Sequence, residues 1–348
     1  MRHYKEHLIL KGTTVLKAMA QLNILARDAI LFVVDENDTL IGSLTDGDVR
    51  RGLLKDFSVQ DEVEKIIQPN PRYIEKGDYR LEQIIEFRKG HFKIIPIIDA
   101  NRKVVNIINL RELLSYLPVD VVIMAGGRGS RLQPMTDTTP KPLLKVGDKT
   151  IIRHNLDRLK RFGMDDFWIS IRYLGEQIEE HLGNGTQDNI TIDYVWEDKP
   201  LGTIGAVSKI KNFQHDYVLV TNSDILTTLD YEDFFLDFIS RDADMSVATI
   251  PYNVDVPYAV LETENNEVLS FKEKPTYTYY SNGGIYLIKR KVLERIPKDE
   301  FYNSTDLMED LLKNNGKLIS YPMRTYWLDI GKPQDFVKAQ EDIKHLDL

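Results

Sequence analysis

The stretch AILFVVDENDTLIGSLTDGDVRRGLL, residues 29–54, returns in FKIIPIIDANRKVVNIINLRELLSYL from residue 92, with Asp35 over Asp99 at an offset of 64 residues. Val33 then stands over Ile97, Val34 over Ile98, Leu40 over Val104 and Leu44 over Ile108. Self-similarity at a fixed offset constrains the fold strongly, because each copy must solve the same packing problem. Each copy reads as a short β-branched strand, an Asp/Asn turn, a second strand and an amphipathic helix. A unit of that size cannot bury both its faces alone, so the two copies are expected to pack on each other. In Leu117-Pro118-Val119-Asp120 the proline stops the preceding helix and the apolar strand VVIMA follows. The expected domains are 1–117, with halves at about 1–60 and 61–117, and 118–348.

Beyond Pro118 strand-like runs alternate with helical ones. FWISI precedes GEQIEEHL, DYVLVTNSD precedes YEDFFLDFISR, and MSVATI leads into a more strand-rich stretch. This alternation implies an α/β fold, a mostly parallel sheet covered by helices, whose ligands gather at the carboxyl ends of the strands. The chain has no cysteine, which excludes disulfides, thiolate metal sites and a cysteine nucleophile. No apolar run approaches the roughly 18 residues of a membrane span, and the start MRHYKEHLIL lacks the h-region of a signal peptide. A cytoplasmic protein without a membrane partner is expected. The formal net charge of −9 argues against a protein that coats nucleic acid, so any anion binding is local.

The strongest local signal is MAGGRGSRLQPMTDTTPKPLLKVGDK, residues 124–149, where glycines follow a strand. It matches neither the dinucleotide fingerprint nor the phosphate loop of ATPases. Its chemistry is nonetheless that of a phosphate cradle: glycines let backbone N–H groups approach phosphate oxygens, and Arg131 and Lys141 supply charge, the lysine on a stem between Pro140 and Pro142. A glycine turn carrying solvated charges is the plainer alternative.

With the run from Gly126-Gly127-Arg128-Gly129-Ser130-Arg131-Leu132 to Pro140-Lys141-Pro142, the region 119–348 resembles the sugar-phosphate nucleotidylyltransferases. These join a nucleoside triphosphate to a sugar 1-phosphate and release pyrophosphate. The resemblance implies a Rossmann-like, mostly parallel mixed sheet of the nucleotide-diphospho-sugar transferase type. It implies nucleotide contacts from Met124, Ala125, Gly126, Gly127, Gly129, Gly202 and Thr203, the last two in Leu201-Gly202-Thr203-Ile204-Gly205-Ala206. Glu197 falls where members contact the base edge; a carboxylate there accepts from the N1–H and N2–H₂ donors of guanine, which points to GTP, although a surface glutamate would look the same. Asp224 and Asp329 match the pair that binds Mg²⁺, with Arg131 and Lys141 completing the catalytic set. Glu273 and Lys274 resemble the Glu-Lys-Pro element that holds the sugar and its phosphate, and Asn282 and Gly283 the segment that lines the sugar pocket.

The repeat resembles a tandem pair of CBS domains. Gly42-Ser43-Leu44-Thr45-Asp46-Gly47-Asp48 fits that family's ligand motif, so by resemblance Thr45 would touch a phosphate and Asp48 a ribose of an adenine nucleotide. Asn106, Asn109 and Glu112 occupy the second copy's equivalent places, so at most one ligand per pair is expected. Thr45 as a helix cap with Asp48 in the first turn needs no ligand. A CBS pair ahead of this catalytic domain is similar to the guanylyltransferases of legionaminic acid synthesis, which make GDP-glucosamine from glucosamine 1-phosphate. Mannose 1-phosphate with GTP is the close rival, and glucose 1-phosphate with another triphosphate, as in another NDP-sugar pyrophosphorylase, the more distant one. A homo-oligomer assembled through the CBS pair is expected, and a regulatory subunit without turnover is the alternative of another class.

Overall fold

The computed structural model of the chain describes residues 4–76, 80–188 and 190–346. Two compact units emerge. One runs to Pro118 and takes in Lys160–Met164 and the turn at Thr186–Asp188; the other holds the remainder from Val119.

In the first unit, β1 (Leu8–Leu10), α1 (Val15–Leu25), β2 (Ile30–Val34), β3 (Leu40–Thr45) and α2 (Asp46–Leu53) make one copy of the repeat. The other copy is β4 (Ile74–Glu75), α3 (Leu81–Lys89), β5 (Ile94–Ile98) and β6 (Val104–Asn109). Each sheet has its first strand parallel and its third antiparallel to the middle one. The repeat extends to the irregularities: β2–β3 shifts register between Val33 and Val34, and β5–β6 shifts between the equivalent Ile97 and Ile98. Asp35 Oδ1 accepts from the N–H groups of Asn37 and Thr39 at 2.8 and 2.9 Å, and Asp99 Oδ1 accepts from Asn101 and Lys103 at the same distances. Reciprocal bonds join the copies, from Leu40 N–H to the Arg102 carbonyl (2.9 Å) and from Val104 N–H to the Asp38 carbonyl (3.0 Å). Phe32, Val34 and Leu40 share a buried cluster with Ile94, Ile98 and Val104, so each copy supplies the apolar face the other needs.

The copies differ after the third strand. Only the first continues into a helix; residues 110–117 form turns and irregular backbone instead of the expected helix. The N–H groups of Leu114 and Leu117 donate to the carbonyls of Arg161 and Phe162, and Pro118 disfavours helical backbone at the residue before it. In the first copy Thr45 caps α2 in a reciprocal box: Thr45 Oγ1 accepts from Asp48 N–H (3.3 Å) and Asp48 Oδ2 accepts from Thr45 N–H (2.9 Å). Asp48 also accepts from Arg51 and Gln68. Burial raises its carboxyl, but the hydrogen bonds from Thr45, Gln68 and Arg51 outweigh it and hold the group below the usual aspartate value. Both residues of the expected nucleotide contact are thus engaged with each other.

The second unit contains β7 (Val119–Met124), β8 (Lys145–Val146), β9 (Lys149–Thr150), α4 (Ile151–Arg161) as far as Leu159, β10 (Asp166–Ile171), α5 (Gly175–Leu182), β11 (Thr191–Trp196) and β12 (Tyr217–Asn222). It continues with β13 (Ile225–Thr227), α6 (Tyr231–Ser240), β14 (Met245–Asp255), β15 (Val260–Glu264), β16 (Glu267–Lys272), β17 (Thr276–Lys289), α7 (Arg290–Leu293), α8 (Ser304–Lys313), β18 (Leu318–Pro322), β19 (Trp327–Asp329) and α9 (Pro333–Asp342). The central sheet has the order β11-β10-β7-β12-β17-β14-β18. Only β17 runs antiparallel to its neighbours, as the alternation of strands and helices implies. β7 is apolar at Val119, Val121, Val122 and Ile123, all buried, as befits a strand covered on both faces.

The exception inside β7 is Asp120, fully buried, whose carboxylate accepts from the N–H groups of Gln214 (3.2 Å) and His215 (2.8 Å). Burial pushes its pKa up to about 6, aided by the Asp166 charge and opposed by those two bonds and by Arg290. An aspartate raised in the folded state contributes stability below its unfolded value of 3.8, and that contribution is lost as pH rises through 6. We therefore expect the wild type to lose roughly 3 kcal/mol relative to Asp120→Asn between pH 3.5 and 7. All three tryptophans, Trp168, Trp196 and Trp327, belong to this unit, so denaturant unfolding followed by their fluorescence reads the difference. Parallel pH profiles for the two proteins would refute the assignment.

Candidate active site

Two adjoining cavities open at the carboxyl ends of β7, β10, β11 and β12, where a sheet of this order collects ligands. The larger, about 370 Å³, is lined by Met124, Ala125, Gly126, Gly127, Gly129, Arg131, Lys141, Glu197, Gly202, Thr203 and Asp224, among others. The second, about 320 Å³, is lined by Asn282, Gly283, Trp327 and Asp329, and it shares Thr203 and Asn222 with the first.

The glycine-rich loop is shaped by backbone demands. Gly129 has φ +63°, the left-handed region that favours glycine, and a Cβ there would lie 3.0 Å from Cβ of Lys141. Thr136 Oγ1 donates to the Gly129 carbonyl (3.0 Å), tying the returning limb to the loop. Lys141 begins a short 3₁₀ turn over Lys141–Leu143 with Pro142 next, rather than standing on an extended stem. The lysine is buried, and its ammonium donates to Asp224 Oδ2. Arg131 passes over Gly331, where a Cβ would meet Nη1 at 3.2 Å, so a side chain at 331 would crowd the guanidinium.

Asp224 and Asp329, distant in sequence, are brought together by a two-stranded ladder. β13 pairs with β19, Ile225 opposite Asp329, and Ile330 N–H donates to the Asp224 carbonyl at 3.0 Å. Asp224 Oδ1 and Asp329 Oδ1 are both buried without a hydrogen-bond partner among the described residues. Burial and then the Asp224 charge raise the Asp329 carboxyl above its ordinary value, against the pull of Lys141 and Arg131. Buried carboxylate oxygens left without a donor are costly. Two such hard oxygens side by side fit a Mg²⁺ ion.

On the nucleotide side Glu197 is buried rather than a surface glutamate, and already holds two donors, Ser170 Oγ on Oε1 (2.5 Å) and Leu201 N–H on Oε2 (3.1 Å). A carboxylate accepts about four hydrogen bonds, so it keeps capacity toward the cavity while fixing the loop at Leu201. That loop is clamped to the start of α8: Tyr302 N–H donates to the Leu201 carbonyl (3.0 Å) and Ser304 N–H to Thr203 Oγ1 (2.8 Å). The sequence reading missed Arg172, Asn222 and Ser304. Arg172 follows β10 and lines the nucleotide cavity, its buried Nε without a partner among the described residues; its place just after an apolar strand was the available signal. Ser304 gave none, because it reaches the sugar-side cavity only through the fold.

Two expected residues are not brought to either cavity. Glu273 and Lys274 are exposed and lie between β16 and β17, beyond a ribbon formed by Ile250–Asp255 of β14 and Thr276–Ser281 of β17. Six residues at about 3.4 Å each place Thr276, the far end of β17's ribbon segment, roughly 20 Å along the strand from Asn282. Asn282 itself lines the sugar-side cavity, its Oδ1 accepting from Gly284 N–H (2.9 Å), while Trp327 Nε1 donates to the Gly283 carbonyl (2.9 Å).

The sequence profile of the Nucleotidyl transferase family matches residues 120–345, and that of the CBS domain matches residues 8–55. The mannose-1-phosphate guanylyltransferase of Mycobacterium tuberculosis is 31% identical over 232 residues, which are 65% of this chain and 64% of that protein, so the match spans less than two thirds of that relative. The D-glycero-alpha-D-manno-heptose 1-phosphate guanylyltransferase of Aneurinibacillus thermoaerophilus is 30% identical over 230 residues, 65% of this chain and 99% of that protein. Among solved structures, HddC from Yersinia pseudotuberculosis is 30% identical with a TM-score of 0.52, covering 65% of this chain and 99% of that one. The same protein complexed with GMP-PN is similar at 28% identity and a TM-score of 0.50.

Proposed function

Because the chain belongs to the nucleotidyl transferase family, we propose that it transfers the guanylyl group of GTP to a sugar 1-phosphate, giving a GDP-sugar and pyrophosphate. The observation that carries this reading is the pair of adjoining cavities, each with one carboxylate oxygen that has no partner among the described residues, Asp224 in the first and Asp329 in the second. Guanine is favoured by the Glu197 carboxylate in the first cavity and by the relatives named as guanylyltransferases. For the sugar we favour glucosamine 1-phosphate. Besides Asp329, the second cavity has Asn282 and Ser304 as acceptors and neither Lys nor Arg among its described lining residues, which suits an ammonium substituent on the sugar ring.

A phosphate oxygen of the sugar 1-phosphate attacks the α-phosphorus; the new O–P bond forms as the bond to the β-phosphate breaks and its electron pair leaves with pyrophosphate. The nucleophile is already anionic, so no general base is required, and the work of the protein is positioning and charge compensation. The glycine loop presents backbone N–H groups to the triphosphate, and Arg131 and Lys141 stabilise the charge that grows on the leaving group. Asp224 and Asp329 would hold Mg²⁺, which supplies Lewis-acid compensation of the phosphate charge when bound.

The test is pyrophosphate release from the four nucleoside triphosphates against glucosamine 1-phosphate, mannose 1-phosphate and glucose 1-phosphate, with Mg²⁺ and with EDTA. Turnover confined to GTP with glucosamine 1-phosphate and abolished by EDTA is expected. Turnover with mannose 1-phosphate alone would overturn the sugar assignment, and silence throughout from folded protein would overturn the reaction.

A further inference from the structure

Beside Glu197 the nucleotide cavity carries a second charged side chain, Arg172, which the transfer chemistry does not use. At the ends of β10 and β11 Ile171 stands opposite Trp196, and Glu197 N–H donates to the Ile171 carbonyl (3.0 Å). The next residues off the two strands, Arg172 and Glu197, therefore leave the sheet abreast. They also leave it on the same side: Arg172 stands two residues after Ser170, whose hydroxyl reaches Glu197 Oε1 (2.5 Å), and residues two apart along a strand share a face. Gly126 touches both, because a Cβ there would stand 2.6 Å from Glu197 Oε1 and 3.5 Å from Cβ of Arg172. Arg172 sits between anchored neighbours, with Ser170 bonded to Glu197 on one side and the Tyr173 hydroxyl donating to the carbonyls of Thr136 and Asp137 (3.1 Å each) on the other.

The two charges do not satisfy each other. Glu197 takes its donors from Ser170 and Leu201, while Arg172 Nε is buried with no partner among the described residues. A buried donor left unpaired is costly, and this one borders a cavity of about 370 Å³ in which a ligand can supply the acceptor. A carboxylate beside a guanidinium offers two acceptors followed by two donors. Of the four common bases only guanine has the complementary edge, with N2–H₂ and N1–H as donors followed by O6 and N7 as acceptors. Adenine sets its one donor group between two acceptors, cytosine has one donor group, and uracil has one N–H between two carbonyls.

We propose that Arg172 reads the O6 and N7 side of guanine while Glu197 takes the N1–H and N2–H₂ side, so that the pair and not Glu197 alone selects GTP. This rests on the guanylyl transfer proposed above. An arginine in this cavity has one other use, a grip on the triphosphate, and the two uses require different atoms of the nucleotide.

Nucleotides altered at single positions separate them. ITP lacks the N2 amine, and 7-deaza-GTP has a C–H in place of N7. Each is compared with GTP on the full chain in two ways: equilibrium binding by calorimetry with Mg²⁺ and no sugar phosphate, and kcat/KM for pyrophosphate release with glucosamine 1-phosphate. Wild type is expected to disfavour both analogues about tenfold, the usual loss of one hydrogen bond to a charged group. In Arg172→Met the preference for GTP over 7-deaza-GTP is expected to fall to within about twofold, while that over ITP stays near tenfold, because the cycle of variant and analogue isolates the contact to N7. Equal losses on GTP and 7-deaza-GTP in Arg172→Met would overturn the assignment in favour of the triphosphate. A wild type indifferent to N7 would overturn it without recourse to any variant. Both outcomes leave the reaction standing. A wild type that binds with the full pattern of preferences yet releases no pyrophosphate with glucosamine, mannose or glucose 1-phosphate would count against the reaction and support the reading of the base.

Discussion

Replacing either Asp224 or Asp329 by Asn is expected to lower turnover by about three orders of magnitude, an effect of roughly 4 kcal/mol on the barrier. Each carboxylate has a buried oxygen with no donor among the described residues, and Asp224 lines one cavity and Asp329 the other. An amide keeps the shape and removes the charge, and the neutral side chain no longer opposes its neighbour. Folding without divalent ions is therefore expected to be unchanged or slightly improved in Asp329→Asn, since burial and the Asp224 charge already raise the Asp329 carboxyl, and to weaken in Asp224→Asn, which leaves the buried Lys141 ammonium without its carboxylate. The wild type should gain thermal stability when Mg²⁺ or Mn²⁺ is added, by mass action on the folded state, and both variants should lose that gain. Thermal unfolding with and without the ion, beside pyrophosphate release, separates the two effects. Turnover near that of the wild type in either variant would remove these aspartates from the mechanism.

Lys141→Met carries the second large effect. The lysine is buried, donates to Asp224 and pulls against the raised carboxyl of Asp329. Methionine retains much of the stem's volume and loses the charge. Turnover should fall by about 10²–10³, the usual loss when one donor to developing charge is removed from a sheltered site. Stability without divalent ions should fall by about 3 kcal/mol, because the partner carboxylate is left buried and uncompensated. Divalent ions should recover part of the stability and little of the turnover, and in Lys141→Met/Asp224→Asn the stability losses should not add. A variant equally stable with and without ions would show that the lysine does not compensate the carboxylates in the folded protein.

The features legible in the sequence share one property: the residues that make them are close together in the chain. The glycine loop is readable because Gly129 must take a left-handed φ and Pro140 and Pro142 must flank Lys141. The repeat is readable because an Asp at the same place in each copy makes the same turn. Strands that end at Met124 and Asn222 are visible as apolar runs, and their carboxyl ends locate the cavities.

What the tertiary structure alone decided depends on contacts between distant segments. The sequence nominates Asp224 and Asp329 separately, but their meeting requires the β13–β19 ladder, and the loss of a hydrogen-bond partner at both is a property of that meeting. The missing helix after β6 was set by carbonyls of Arg161 and Phe162, which local propensity in residues 110–117 does not contain. The motif at Glu273 and Lys274 names a chemistry, yet the extension of β14 and β17 past their outer neighbours carries it away from both cavities. Side-chain type is written residue by residue, whereas distance is set by the sheet register, and in this ribbon the register rather than the motif determines what the lysine can reach.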